Sequence, residues 1–326
     1  MTDDGKVIDW LMQGDPAIRW QVMRDLFDAP EADWQAERAR VETHGWGARL
    51  LACQDSDGLW AGGAFAPADF DWSTIQAEGQ PWTATTFALT QLRDFGLDPG
   101  SERAAATVDL VGRNAKWEEG GQPFWQGEVE ECINGRTVAD GAYFGVDVAP
   151  IVARLVDEVQ PDGGWNCERC NGSVKSSFAS TINVLEGLLE FERATGGTAA
   201  SRAARRSGED YLLARGLYRQ LGTGALADDT FLKLAYPLRW RYDVLRALDH
   251  FRASGLWDGA DADPRLRDAI THLRLKRRED GTWAADWVLR GRTWFEMEPG
   301  PGQPSRWLTL RALRVLRWWD ESAAEP

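Results

Sequence analysis

Four cysteines and the acids around them are the side chains of this sequence best suited to metal or thiol chemistry. Cys167 and Cys170 are separated by two residues, and Cys132 directly follows Glu130 and Glu131. Because two or three thiolates with a carboxylate can hold zinc, a zinc site at Cys132, Cys167 and Cys170 is one interpretation. The three histidines fall in helical patterns away from this region. We therefore expect ordinary thiols, and we assign no metal ligands and no cofactor.

A second group of candidates is aromatic and acidic. The chain contains 18 tryptophans but only 5 tyrosines, and many of the tryptophans stand at the ends of helical patterns, near loops that carry Asp and Glu. Aromatic ring faces can stabilise a carbocation, and they can equally stack on a sugar ring. The residues that we expect to bind substrate are Asp71, Trp72, Trp82, Trp125, Tyr143, Trp240, Trp294, Glu296 and Trp307.

Three kinds of protein fit these loops. An aromatic cavity with one sheltered carboxylate fits an apolar substrate that reacts through a carbocation. A carbohydrate-active enzyme requires two carboxylates that face each other across a glycosidic bond, about 5–5.5 Å or 6.5–9.5 Å apart. In a non-catalytic scaffold, tryptophans fill the centre and the acids pair with arginines. The sequence contains no Walker A loop and no GxGxxG, HExxH or GxSxG motif, which disfavours nucleotide-dependent and serine-hydrolase chemistry.

Composition restricts the partners of the chain. The 326 residues are 43% hydrophobic, enough for a substantial core. The 51 acidic and 37 basic residues give a formal net charge of -14, a field that repels nucleic acid. We find no apolar leader at Met1–Asp25 and no apolar run of about 18 residues, so we expect a cytoplasmic protein without a membrane span that binds a small molecule. The oligomeric state is not indicated.

One turn followed by a helix recurs along the chain and must position these groups. In Gln160–Asn166, Pro161 fixes φ and Gly163 and Gly164 permit a sharp turn before Trp165. Similar segments are Gln54–Trp60 and Glu279–Trp283, with a degenerate copy at 120–125. After the Gln160–Asn166 copy, the helical pattern that begins near Ser176 has apolar residues on two adjacent stripes, which is too wide a sector for burial on one side only.

The helical patterns fall into two alternating sets, with single helices predicted over spans such as Glu37–Ala52 and Arg239–Arg252. The predicted inner helices begin near Pro16, Pro81, Glu128, Ser176, Arg239 and Ser305. The predicted outer helices begin near Lys6, Glu37, Ser101, Asp147, Ser201 and Pro264. The predicted N-cap residues are Asp15, Ser101 and the pair Ser176-Ser177. Two-helix repeats cannot bury both apolar faces alone and must stack. We predict an all-α, single-domain (α/α)6 toroid over residues 1–326; an open superhelix is the alternative.

The segments QDSDGLW, QPDGGWNC and EDGTW together resemble the QW-type repeats of squalene and hopene cyclases and of protein prenyltransferase β subunits. The chain is also similar to single-domain bacterial prenyltransferase/squalene-cyclase repeat proteins of unassigned activity. This resemblance implies an α/α toroid and an isoprenoid-like apolar substrate in a central aromatic cavity. Repeat motifs identify architecture better than chemistry.

The resemblance also suggests catalytic residues. Class II terpene cyclases use an Asp-x-Asp-Asp-Thr motif whose middle aspartate protonates the substrate. In this chain Asp228, Asp229 and Thr230 match the last three positions, but Leu226 replaces the first aspartate. We take Asp228, Asp229 and Glu131 as the candidate catalytic acids. Because the motif is incomplete, the resemblance leaves open whether the protein is an enzyme.

Overall fold

The computed structural model describes residues 3–324, and the regular structure of that range is helical, with isolated β-bridges only. The predicted all-α class is thus confirmed. The α-helices are α1 (Asp3–Met12), α2 (Pro16–Asp25), α3 (Glu31–Ala39), α4 (Gly45–Ala52), α5 (Ile75–Glu78), α6 (Thr85–Phe95), α7 (Glu102–Asn114), α8 (Glu131–Tyr143), α9 (Ala149–Asp157), α10 (Phe178–Thr195), α11 (Ala199–Leu213), α12 (Val244–Asp258), α13 (Arg267–Leu275) and α14 (Arg306–Ala324). None of these helices is long and apolar enough to cross a membrane.

The described chain divides into two compact units. The first unit contains the described residues up to Arg38, Glu209–Leu289, and the described residues from Met297 onward. The second unit contains Ala39–Gly208 and the short segment Arg290–Glu296. A few residues from far along the chain therefore belong to the second unit.

In the first unit, α14 packs against α2 and α12. Arg314 on α14 is an ion-pair partner of Asp25 on α2, at 3.2 Å, and of Asp249 on α12. These side chains are only about a tenth exposed, so each charge needs its partner. Burial alone would raise the pKa of Asp249, but the Arg314 guanidinium outweighs burial and holds that pKa far below its usual range.

In the second unit, α8 and α10 lie so close together that their backbones are in contact at two glycines. A Cβ atom added at Gly135 of α8 would lie 2.5 Å from the carbonyl oxygen of Asn183 on α10. Likewise, a Cβ added at Gly187 of α10 would lie 2.3 Å from the carbonyl oxygen of Gly135. Ordinary contacts of a Cβ atom begin near 3.4 Å, so only glycine fits at these two positions.

The three tryptophans of the recurring turn, Trp60, Trp165 and Trp283, are fully buried and share one hydrogen-bond arrangement. Each indole N–H donates to the carbonyl of the residue ten positions earlier, at 2.8–2.9 Å. Each backbone N–H donates to a threonine hydroxyl in the first turns of the following helix, at 3.0–3.1 Å. The acceptors are Leu50 and Thr85, Leu155 and Thr181, and Leu273 and Thr309. The turn thus holds each tryptophan between two helices, which are α4 and α6, α9 and α10, and α13 and α14.

Several helix starts follow the predicted capping chemistry. Asp15, Ser101 and Ser177 each accept a backbone N–H at the start of α2, α7 and α10, as N-cap residues do. These predictions are confirmed.

Two predicted helices are wrong. Glu37–Ala52 is interrupted by a 3-10 turn at Arg40–Glu42 and by Gly45, whose φ of 69° lies in the left-handed region. The helix predicted from Arg239 begins only at Val244, because Asp243 accepts the N–H of Arg246 as its N-cap. Helical periodicity alone does not reveal such breaks.

Candidate functional site

Glu130, Cys132 and Cys167 form a thiol–carboxylate cluster in the second unit. One carboxylate oxygen and the two sulfur atoms all lie within 4.8 Å of one another, and all three residues are half-buried. The Cys132 Sγ is 3.6 Å from the Glu130 Oε2. Within residues 3–324, this is the group of at least three His, Cys, Asp or Glu side chains with metal-binding geometry.

The start of α8 positions Glu130 and Cys132. Glu130 is the N-cap residue of α8, and its N–H donates to the Glu128 carboxylate at 2.6 Å. Asn134 fixes the preceding loop, because its side chain accepts the Glu128 N–H and donates to the Glu128 carbonyl, both at 2.7 Å. The chain is therefore held rigidly where it enters the helix.

The turn after Trp165 positions Cys167 against the first turn of α10. The Cys167 N–H donates to the Ser180 hydroxyl at 3.1 Å, and that hydroxyl lies 3.3 Å from the Cys167 sulfur. The Cys132 N–H, in the first turn of α8, donates to the same sulfur at 3.3 Å. Two donors thus face the Cys167 sulfur, and they come from the starts of two tightly packed helices.

Hydrogen bonding, burial and ion pairs act on the ionisable side chains in and around the cluster. The Cys167 side chain, together with burial, raises the pKa of the Cys132 thiol well above its usual range. Burial also raises the pKa of Glu128. Glu131, only 1% exposed, accepts from Arg169 at 2.6 Å, and the same guanidinium contacts Glu158 at 2.6 Å. Without a cation, the cluster thus holds Cys132 as a neutral thiol.

The donor set fits a thiophilic divalent cation. With a zinc–sulfur bond of about 2.3 Å and a zinc–oxygen bond of about 2.1 Å, two tetrahedral ligands lie about 3.6 Å apart for S and O and about 3.8 Å for two sulfurs. The Cys132–Glu130 separation of 3.6 Å matches the first value. Cys170, the third thiol of the predicted zinc set, is exposed and donates to the Cys167 carbonyl instead, at 3.3 Å.

Two adjoining cavities in the second unit form an aromatic groove. The larger, of about 360 Å³, is lined by Ala61, Ala68, Asp69, Thr83, Arg292, Thr293 and Trp294. The smaller, of about 250 Å³, is lined by Asp69, Phe70, Asp71, Thr74, Glu78, Gly79, Pro81 and Arg292. The groove contains two of the residues predicted to bind substrate, Asp71 and Trp294. Trp72 is 51% exposed and contacts the lining residue Phe70 edge-on, at 5.1 Å between ring centroids.

The segment Arg290–Glu296 closes one side of the groove. Arg292 pairs with Asp69 at 2.9 Å and lowers the pKa of that carboxyl. The Trp294 indole donates to the Thr83 carbonyl at 3.1 Å. Trp82, buried beneath the groove's edge, donates its backbone N–H to the Arg292 carbonyl at 2.8 Å. Glu296 ends the segment and is exposed.

Two further predicted residues in the second unit serve packing. The Trp125 indole donates to the Val108 carbonyl at 3.2 Å and would touch a side chain placed at Gly112 of α7. The Tyr143 hydroxyl donates to the Leu97 carbonyl at 2.8 Å. Trp125 ties its 3-10 turn to α7, and Tyr143 ties α8 to the residues after α6. Neither side chain lines the groove's two cavities.

The remaining predicted residues lie in the first unit. Asp228 is exposed and caps a 3-10 turn, where the Thr230 hydroxyl and N–H lower its pKa. Asp229 is exposed and pairs with Lys233 at 2.5 Å. Trp307 is 1% exposed and stacks on Tyr236 with ring centroids 4.7 Å apart. Trp240 is half-buried with the Arg241 guanidinium over its ring at 4.9 Å.

Comparison with known proteins adds little. No known protein family and no curated protein matches the chain. Among solved structures, this chain is similar to a crystal structure of a protein from Actinoplanes, with 16% sequence identity and a TM-score of 0.44. The match covers 95% of this chain and 91% of that protein's chain. A similarity at this level supports no inference about fold or activity.

Three charged residues of interest are not among those predicted from the sequence. Arg169 and Arg292 form ion pairs with acids far away in sequence, and no local pattern indicates such partners. Glu298 in the first unit accepts the Trp307 N–H at 3.2 Å, and burial raises its pKa to about 7. Its local signal is its position in the acidic and aromatic loop before the last helix, which also contains Trp294 and Glu296.

Proposed function

We propose that this chain is a metal-dependent enzyme with an (α/α)6 toroid fold, that its reaction centre is the thiol–carboxylate cluster, and that its substrate is isoprenoid-like and apolar. The observation that carries the proposal is the 3.6 Å separation of the Cys132 sulfur and the Glu130 carboxylate oxygen, with Cys167 beside them. That spacing is the ligand-to-ligand distance of a tetrahedral zinc site.

Glu130, Cys132 and Cys167 would hold the metal. Three protein ligands leave a fourth position for water or substrate, which distinguishes catalytic from structural zinc. A bound zinc ion would supply Lewis acidity and a metal-activated nucleophile. The Cys132 N–H and the Ser180 hydroxyl would orient the Cys167 sulfur from outside the coordination sphere.

The isoprenoid substrate and the toroid are supported by the recurring turn. The three turns that resemble the repeats of cyclases and prenyltransferases contain tryptophans with the same pair of hydrogen bonds. The alternation of mostly buried helices, such as α6, α8 and α10, with helices of which only a few residues are buried, such as α7 and α9, fits stacked helix pairs.

The cluster is a better reaction centre than the incomplete cyclase motif. An acid that protonates a carbon–carbon double bond must be sheltered and protonated, whereas Asp228 and Asp229 are exposed and Asp228 has a lowered pKa. Glu131 is sheltered, but its charge is paired with Arg169. We therefore assign Glu131 to the support of the cluster.

Metal analysis of the purified protein tests the reaction centre. Wild type is expected to contain about one zinc per chain, and Cys132→Ser and Cys167→Ser are expected to lose it. Cys53→Ser and Cys170→Ser are matched controls, since both thiols lie outside the cluster. Loss of metal from Cys170→Ser as complete as from Cys167→Ser would contradict the proposed ligand set.

Ligand screening tests the substrate class separately. Native mass spectrometry and thermal-shift assays would compare prenyl diphosphates, squalene-type polyenes and oligosaccharides. We expect at least one isoprenoid to bind and to raise the melting temperature. If no isoprenoid binds while the metal is present, the substrate class is wrong although the metal site stands.

A further inference from the structure

The aromatic groove contains a buried hydroxyl group that is suited to a ligand. Thr83 lines the larger cavity, is only 3% exposed, and its hydroxyl has no hydrogen-bond partner within residues 3–324. A buried polar group without a partner costs free energy unless a ligand or water satisfies it. The Thr83 hydroxyl therefore marks a position where a ligand would place a hydrogen-bonding group.

One tryptophan ring lines the same cavity as Thr83, and a second contacts the lining of the smaller cavity. Trp294 lines the larger cavity and is 37% exposed, and its indole is fixed by the 3.1 Å bond to the Thr83 carbonyl. Trp72, which is 51% exposed, is held edge-on against Phe70 in the lining of the smaller cavity. Exposed rings held in fixed orientations supply apolar contact area at little cost in side-chain entropy.

The charges of the groove select among ring-shaped ligands. The lining of the two cavities includes three carboxylates and one guanidinium, so its net charge is two negative charges when all are ionised. Asp71 accepts the Ser73 N–H at 2.9 Å, and the Ser73 hydrogen bonds lower its pKa, so it stays ionised. Anionic ligands are therefore repelled.

We propose that the groove is a binding site for a non-anionic oligosaccharide. A sugar ring has an apolar face that stacks on tryptophan and hydroxyl groups that would pair with Thr83, Asp71 and Arg292. The volumes of about 360 and 250 Å³ suit a ligand of a few rings, since small-molecule sites occupy roughly 300–1,000 Å³. This site uses none of the residues of the thiol–carboxylate cluster and does not depend on its metal.

Isothermal titration calorimetry on the full chain tests this site. The probes are cellohexaose as a neutral sugar, chitosan hexamer as an amino sugar and oligogalacturonate as an acidic sugar. We expect binding of the neutral or the amino sugar and at least tenfold weaker binding of the acidic one. Heat from none of the three, or equal affinity for the acidic one, would overturn the proposal.

Substitutions locate the binding. Thr83→Val preserves the shape of the side chain and removes the hydroxyl, and should weaken binding about fivefold, as loss of one neutral hydrogen bond does. Trp72→Ala and Trp294→Ala should each weaken it about tenfold, with Trp294→Phe in between. The controls Thr271→Val and Trp257→Ala alter exposed residues outside the groove and should bind within twofold of wild type.

Melting temperatures show whether a variant that binds more weakly is still folded. Each is compared with wild type by its melting temperature, and Trp72 is exposed enough that its removal should leave the fold intact. Unchanged affinity in both Thr83→Val and Trp72→Ala would place any observed sugar binding elsewhere and overturn the assignment. The isoprenoid screen remains informative in either case, because it reads out a different ligand.

Discussion

Replacing Gly135 by alanine would test whether the close approach of α8 and α10 sets the geometry of the thiol–carboxylate cluster. The added Cβ would lie 2.5 Å from the Asn183 carbonyl oxygen, about 0.9 Å inside the 3.4 Å at which ordinary contact begins. The obstacle is backbone and cannot rotate away, so the helices must move apart. Overpacking costs about 1–3 kcal/mol, and alanine returns about 1 kcal/mol of helix propensity. We expect a net destabilisation of about 1 kcal/mol, and of at most about 2 kcal/mol.

The same displacement should disturb the metal site. Cys132 lies on α8, and the Cys167 sulfur is held by Ser180 on α10. A shift of roughly 0.9 Å exceeds the tolerance of about 0.2 Å on metal–ligand distances. Gly135→Ala should therefore bind zinc at least tenfold more weakly than wild type, even at a temperature at which both are folded.

Urea unfolding followed by circular dichroism gives the stability, and competition with a chromogenic chelator gives the zinc affinity. Gly222→Ala is the matched control, because a Cβ at Gly222 meets nothing within 4 Å. If Gly135→Ala matched wild type in both measurements, the close helix contact would not govern the cluster.

Two further predictions concern stability. Trp165→Ala should destabilise the protein by about 3–5 kcal/mol, because a fully buried indole is lost. Trp165→Phe should cost less, although it leaves the Leu155 carbonyl without its 2.8 Å donor. Equal melting temperatures of Trp165→Ala and wild type would show that the tryptophan is not a core residue. Burial raises the pKa of Glu298 from 4.5 to about 7. The stabilisation that the protonated carboxyl gives to the folded state is therefore complete below pH 4.5 and is lost as the pH rises through 7. The free energy of unfolding of Glu298→Gln in urea should therefore match that of wild type at pH 4.5 and exceed it at pH 8, by up to roughly 3 kcal/mol. An identical pH dependence of stability in the two proteins would refute the raised pKa of Glu298.

Local sequence chemistry predicted the all-α class and the caps of several helices. The capping roles of Asp15, Ser101 and Ser177 depend on one side chain and the next few N–H groups, so sequence suffices for them. The recurring turn was recognisable because its glycines and tryptophan lie within a few residues of each other. The break at Gly45 was missed because glycine is also tolerated within helices.

The candidate site was less predictable because it depends on distant contacts. The sequence placed Cys170 in the zinc set through its spacing from Cys167, whereas the structure places Glu130 in the cluster and leaves Cys170 exposed. Spacing along the chain does not determine which side chain faces the partner helix. The groove likewise needs Arg290–Glu296, which joins residues more than 200 positions earlier in the sequence.

A cobalt titration tests the metal centre most directly. Cobalt(II) replaces zinc in tetrahedral sites and gives a thiolate charge-transfer band in the near ultraviolet. We predict that wild type develops this band with one cobalt per chain and releases protons, since Cys132 is held as a thiol before binding. The band should be weaker in Cys132→Ser and Cys167→Ser but unchanged in Cys53→Ser. If wild type shows no charge-transfer band, or if the band survives unchanged in both cluster variants, Glu130, Cys132 and Cys167 are not a metal centre.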